Sequence, residues 1–130
     1  MINFQSHGNA DITVDDNIIF VEATGPWNKE YFEGFHQELL AASAHLKPGK
    51  FGVHLTVKGE AIASPESIEA HIEFLKHSTV SGIAVNFAQC TTTHISKLMF
   101  TDVYQRAGNT FSIFDDPKSG CDWLQSVLAD

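Results

Sequence analysis

Apolar and polar positions alternate along this chain with two different periods. Asp11-Ile-Thr-Val14 and Ile18-Ile-Phe-Val-Glu-Ala23 are β-rich runs on either side of Asp15-Asp16-Asn17, which predicts a hairpin. Residues 3–7 are expected to add an edge strand. Gly25-Pro26 is expected to stop the second strand, because proline has no N–H to give a ladder. From Asn28 the period changes to that of a helix. Phe32, Phe35, Leu39, Ala42 and Leu46 mark its buried stripe, Asn28 its N-cap and Pro48-Gly49 its end.

Strand and helix then alternate to the C-terminus. Phe51-Gly-Val-His-Leu-Thr-Val57 carries large apolar residues at every second position. Ser64-Pro65-Glu66 has the chemistry of a helix start: a capping hydroxyl, proline at the first helical position and an acid near the positive end of the dipole. Ile68, Ile72 and Leu75 give that helix its stripe. Gly82–Ala88 reads as a strand, and residues 92–107 as a helix with Ile95, Leu98, Met99 and Val103 inward. Phe111, Ile113 and Phe114 mark the last strand. Pro117 opens a final helix burying Cys121, Leu124, Val127 and Leu128, with Trp123 beside them and Trp123 and Leu124 packed against Phe111 or Ile113.

This order predicts an α/β protein, a small mixed β-sheet with packed helices forming one domain over residues 1–130. Its strands are asymmetric. Phe51, Val53, Leu55, Val57, Ile83, Val85, Phe87, Phe111 and Ile113 fall on one face. Gly52, His54, Thr56, Ala84, Asn86, Ala88 and Ser112 fall on the other. A sheet deeply buried on both faces reads as continuous Val, Ile and Leu. The large-residue face should therefore carry most helices, and the small polar face should be solvated, thinly covered or pressed against a partner.

Composition narrows the function classes. Eight basic against sixteen acidic residues leave no Lys/Arg cluster of the kind a phosphate backbone needs, so no nucleic acid is expected. No run approaches the ~18 apolar residues that cross a bilayer, so no membrane insertion is expected. Met1–His7 does not read as a signal peptide, and two cysteines suit a reducing compartment, the cytoplasm. Numerous Phe and Trp for a small acidic domain lead to the expectation of a homodimer.

The order of elements resembles the SpoIIAA-like (STAS-like) family, which includes anti-sigma-factor antagonists and many uncharacterised relatives. The landmarks are the hairpin, Gly25-Pro26-Trp27-Asn28 opening a helix, two strand–helix units, and a strand ending in Phe114-Asp115 before a helix with Trp123-Leu124. The resemblance implies a non-enzymatic regulatory or protein-binding module. Regulatory members carry a phosphorylatable hydroxyl after the central strand. Its counterpart here is about Ser64, with Ser67 one turn on. Ala63 stands where the regulators have an acid, and Pro65 follows instead of Ser or Gly, so the likeness is to the uncharacterised branch.

The residues leave several sites open. Ser64 and Ser67 suit a helix cap and equally a phosphate at a helix N-terminus. Lys58, Thr91, Thr92 and Thr93, with Asp115 nearby, should meet at the carboxyl ends of the strands, where ligands of α/β sheets bind. That edge, or the polar face, could serve a small-molecule or lipid-like carrier. Cys90 precedes a helix that carries His94 and is a possible reactive thiol. Its expected behaviour is that of an ordinary thiol without catalytic role, because the acidic chain opposes a thiolate. Seven histidines lack i, i+3 or i+4 pairing and read as scattered surface and edge residues. No metal site and no cofactor is expected, and no dinucleotide or phosphate-loop fingerprint is present.

Overall fold

The computed structural model describes residues 9–129. The possible edge strand at residues 3–7 lies outside them. Five strands form one sheet in the order β1 (Asn9–Asp15), β2 (Ile18–Trp27), β3 (Gly52–Ala63), β4 (Gly82–Cys90), β5 (Phe111–Phe114). β1 runs antiparallel to β2, and the remaining neighbours are parallel. The helices α1 (Lys29–Ser43), α2 (Pro65–Lys76) and α3 (Thr93–Ala107) cross between parallel strands, and α4 (Pro117–Leu128) follows β5. The mixed α/β architecture is the one the alternation predicts.

The two sheet faces are covered unequally, as their side chains require. Ile19, Val21, Leu55, Val57, Ile83, Val85 and Phe87 share one core with the inner residues of α1, α2 and α3. The small polar face carries a second, smaller core of Ile18, Ala84 and Leu124 beneath α4. The thin cover works because small residues let the helix approach closely. A Cβ on Gly52 would lie 2.8 Å from Leu124 Cδ2, and one on Gly120 would lie 2.9 Å from His54 Nε2. The polar face is therefore no open groove. Buried His54 satisfies its ring by donating from Nε2 to the Pro117 carbonyl at 3.2 Å.

Several boundaries differ from the sequence reading. β2 passes through Gly25-Pro26 to Trp27, because the ladder shifts register between Gly25 and Trp27 and Pro26 is left out of it. Gly25 is needed there, since any Cβ would run into the Glu60 backbone. β3 extends past Val57 to Ala63, with Gly59 at φ +66° turning the chain so that Ala63 pairs with Trp27. α1 ends at Ser43, before Pro48-Gly49, and Leu46 packs on the core from the turn beyond.

The inward face of α3 also differs. Ile95 and Leu98 are 58% and 61% exposed, while Ser96, Phe100, Val103 and Tyr104 are buried. Two apolar stripes overlap in this helix, and the one holding the larger aromatic rings faces the core. In α4, Leu124 is fully buried, whereas Cys121, Trp123, Val127 and Leu128 are half-buried. Trp123 meets Phe114 at 6.0 Å, and Leu124 packs on Ile18 and Ala84, on the sheet face opposite to Phe111 and Ile113.

Candidate functional site

The first candidate region lies where β3 and β4 end and α2 and α3 begin. Ser64 Oγ accepts from the Ser67 N–H at 3.3 Å and lies 2.7 Å from Ser67 Oγ, capping α2. Ser64 is exposed and Ser67 is buried, so only the cap itself is accessible. At the neighbouring helix start, Thr93 Oγ1 donates to the Cys90 carbonyl at 3.1 Å. Thr92 Oγ1 and Ser96 Oγ are 2.8 Å apart, and Cys90 Sγ lies 3.8 Å from Thr92 Oγ1. The Thr91 N–H donates to the Gly59 carbonyl. Lys58 turns to Glu22 on β2 at 3.2 Å, and Asp115 accepts from Lys97 at 3.5 Å. The hydroxyls thus bond one another and the backbone, and the Lys58 ammonium is drawn to a carboxylate.

Two influences oppose each other at the Cys90 thiol. Burial pushes its pKa up, but hydrogen bonds from Ser96, from the Thr92 backbone and side chain, and from the Ala61 backbone outweigh burial. The net direction is down. Cys121 moves the other way, raised by burial and by Asp122.

The second region is a cleft between α1, α2 and the large-residue face of the sheet. It has a volume of about 310 Å³. Phe35, Leu39, Leu55, Phe74, Leu75 and Ile83 supply much of its apolar wall. Buried His71 of α2 and Tyr104 of α3 also line it. His71 Nδ1 lies 2.8 Å from His36 Nε2 on α1, with the two rings nearly parallel at 7°. Phe32 and Phe74 flank the pair, at 4.9 Å from His71 and 4.0 Å from His36. Burial lowers the His36 pKa to about 4, and burial together with His36 lowers that of His71 to about 3. Both rings are neutral at pH 7, one donating to the other. A smaller void of about 30 Å³ shares Phe35, Leu55 and His71 with the cleft and is lined by Trp27. Trp27 is buried, and its indole N–H has no partner among the described residues.

Comparisons with known proteins place this geometry. No protein-family model matches the sequence, and no curated protein matches it. Among solved structures, an uncharacterised DUF3478-family protein with a SpoIIAA-like fold from Shewanella loihica PV-4 superimposes with a TM-score of 0.65. The match covers 95% of this chain and 98% of that one at 16% identity. This chain has the SpoIIAA-like fold. An anti-sigma factor antagonist from Mycobacterium paratuberculosis is similar too, with TM-score 0.55, 10% identity, and 91% and 94% of the two chains covered. At these identities the likeness is one of fold.

Within this SpoIIAA-like fold, the sequence reading reached the sheet-edge residues and missed the cleft. Its surface assignment of the histidines fails for His36, His54 and His71, which are wholly or partly buried. His7 lies outside the described residues. The His36–His71 pair joins two helices, so no spacing within one helix reveals it. Unpaired Trp27 gave a weak signal, a tryptophan directly after a strand-ending Gly-Pro. Among the described residues there is no helix long and apolar enough to cross a membrane, and no group of three or more metal-ligating side chains.

Proposed function

We propose that this chain is a non-enzymatic regulatory module of the STAS-like type that works by binding a partner protein at the carboxyl edge of its sheet. The observation that carries the reading is the exposed pair Ile95 and Leu98 on the first turns of α3. Two large apolar side chains three residues apart project from a helix whose other face is fully used by the core. The exposed cap Ser64 opens α2 from the same edge, since α2 and α3 follow the adjacent parallel strands β3 and β4. A phosphate on Ser64 would meet the free N–H groups of α2 and add negative charge to that surface. The solved anti-sigma factor antagonist of the same fold supports a regulatory role. A non-enzymatic reading is supported by Cys90, whose polar contacts are Thr92 and Ser96 rather than an imidazole.

The test is photo-crosslinking in the cells that make the protein, with a photoreactive residue at Leu98 and, as control, at Leu40. Leu40 is equally exposed but lies on α1. A discrete protein adduct at Leu98, lost in Ile95→Glu and absent at Leu40, is expected. An adduct twice the mass of the chain would identify the partner as a second copy, the homodimer anticipated from composition. That anticipation rested on exposed Phe and Trp, and among the described residues none of these is exposed. No adduct at Leu98, or the same adduct at both sites, would overturn the reading.

A further inference from the structure

We propose that the cleft between α1 and α2 binds a small, uncharged, largely apolar molecule bearing one hydrogen-bonding group, which His71 and Tyr104 receive. This site goes beyond the protein-binding reading and uses a different part of the surface. Three observations converge on it.

The first is size and lining. A cleft of about 310 Å³ lies at the lower end of the ~300–1,000 Å³ range typical of small-molecule sites. None of its lining residues is Asp, Glu, Lys or Arg. An ionised ligand would lose hydration among these side chains without meeting a carboxylate, ammonium or guanidinium, and the lining imidazole beyond His71 is that of His77, exposed at the end of α2. The occupant is therefore neutral.

The second is the placing of polar groups in and beside this apolar space. The His71 ring bonds His36 through Nδ1, and its other nitrogen, Nε2, belongs to a residue that lines the cleft. Tyr104, 2% exposed, adds a hydroxyl to the lining, and in the adjoining void buried Trp27 Nε1 has no partner among the described residues. Buried polar groups are ordinarily paired. The orphaned indole N–H, in a void that shares Phe35, Leu55 and His71 with the cleft, is accounted for by an occupant that extends to it.

The third is the histidine pair. When His36 donates to His71 Nδ1, His71 Nε2 carries the proton and is a donor. When both tautomers are reversed, Nε2 accepts instead. The pair thus meets either a carbonyl or a hydroxyl without acquiring charge.

Exposed Leu40 and His77, half-buried Ser43 and the segment Ser78-Thr79-Val80 line its outer end, at the ends of α1 and α2. A ligand can enter there without unfolding the sheet.

The test uses the full chain with N-phenyl-1-naphthylamine, an uncharged fluorophore whose emission rises in apolar surroundings. Saturable 1:1 binding at pH 7.5 is expected, with displacement by decan-1-ol at least tenfold more effective than by decanoate. Ser43→Trp, which fills the cleft from its lining, should weaken fluorophore binding at least tenfold. His71→Phe should weaken decan-1-ol at least fivefold while leaving the fluorophore within twofold. Tyr104→Phe gives the same readout should His71→Phe fail to fold. No saturable binding, decanoate matching decan-1-ol, or unchanged affinity in Ser43→Trp would overturn the proposal. None of these results bears on the Leu98 crosslink.

Discussion

Leu124→Ala should be among the most destabilising single truncations on the thinly covered face. The substitution removes three carbons from a side chain with no exposed surface. At ~0.8 kcal/mol per buried methylene the transfer loss alone is about 2.4 kcal/mol. The second contribution depends on whether the void can close. Leu124 Cδ2 sits over Gly52, and Ala84 lies beneath, so this part of the wall is backbone and one methyl group. Neither can swing into the space. A void of roughly 60 Å³ at ~24 cal/mol per Å³ adds ~1.4 kcal/mol. The expected cost is about 3–4 kcal/mol. Urea unfolding followed by tryptophan fluorescence reads it well, because Trp123 packs against the same small core. With a urea m-value of ~1–3 kcal/mol/M, the midpoint should fall by about 1–4 M while the slope stays constant. Leu98→Ala, at a residue 61% exposed, should change stability by less than ~0.5 kcal/mol. If Leu124→Ala proves too unstable to measure, Leu124→Val should still cost about 1 kcal/mol. A loss below about 1 kcal/mol for Leu124→Ala, or one equal to that of Leu98→Ala, would show that α4 does not seal this face.

Acid should destabilise the fold before its carboxylates titrate. His36 and His71 have folded pKa values near 4 and 3, below the ordinary 6.5, so the unfolded chain takes up protons that the folded chain refuses. Stability should be flat above pH 7 and fall from about pH 6.5 downward, by at most about 2 kcal/mol per histidine at pH 5; equal urea midpoints at pH 7 and pH 5 would refute this. Buried His54, also lowered, should act in the same direction. Ser64→Ala should lose about 0.5–2 kcal/mol and Ser64→Asp almost nothing, because aspartate caps as well as serine; thermal melts that rank the two the other way would remove Ser64 as the cap of α2. Cys90 should react with iodoacetamide faster than Cys121 at pH 7–8, since its pKa is lowered and that of Cys121 raised; peptide mapping that shows the reverse order would contradict those directions.

The parts of this structure legible in the sequence are those decided by chemistry between near neighbours. Asn28 and Ser64 cap α1 and α2 because a short polar side chain reaches an N–H three residues on. Strand alternation separated the two sheet faces, and Gly52, Ala84 and His54 marked the one that α4 covers. The sequence reading faltered where two local signals competed and packing chose between them. Ile95 and Leu98 promised a buried stripe in α3, but Phe100 and Tyr104, set around the helix from them, have more surface to hide and took the core.

The cleft was illegible for a different reason. Its polar groups come from α1, α2 and α3, and each alone resembles an ordinary core or surface residue. Only the fold sets His36 against His71 across 35 residues and Tyr104 behind the same apolar wall. The displaced stripe of α3 then connects the two regions. Had Ile95 and Leu98 faced inward, Tyr104 could not have reached the cleft, and no apolar pair would stand exposed at the sheet edge. One rotational setting of α3 thus creates both the surface proposed for a protein partner and the placing of the Tyr104 hydroxyl proposed for a small ligand. Since Phe100, Val103 and Tyr104 fix that setting together, a ligand that moves Tyr104 can alter the exposed face only by turning the whole helix.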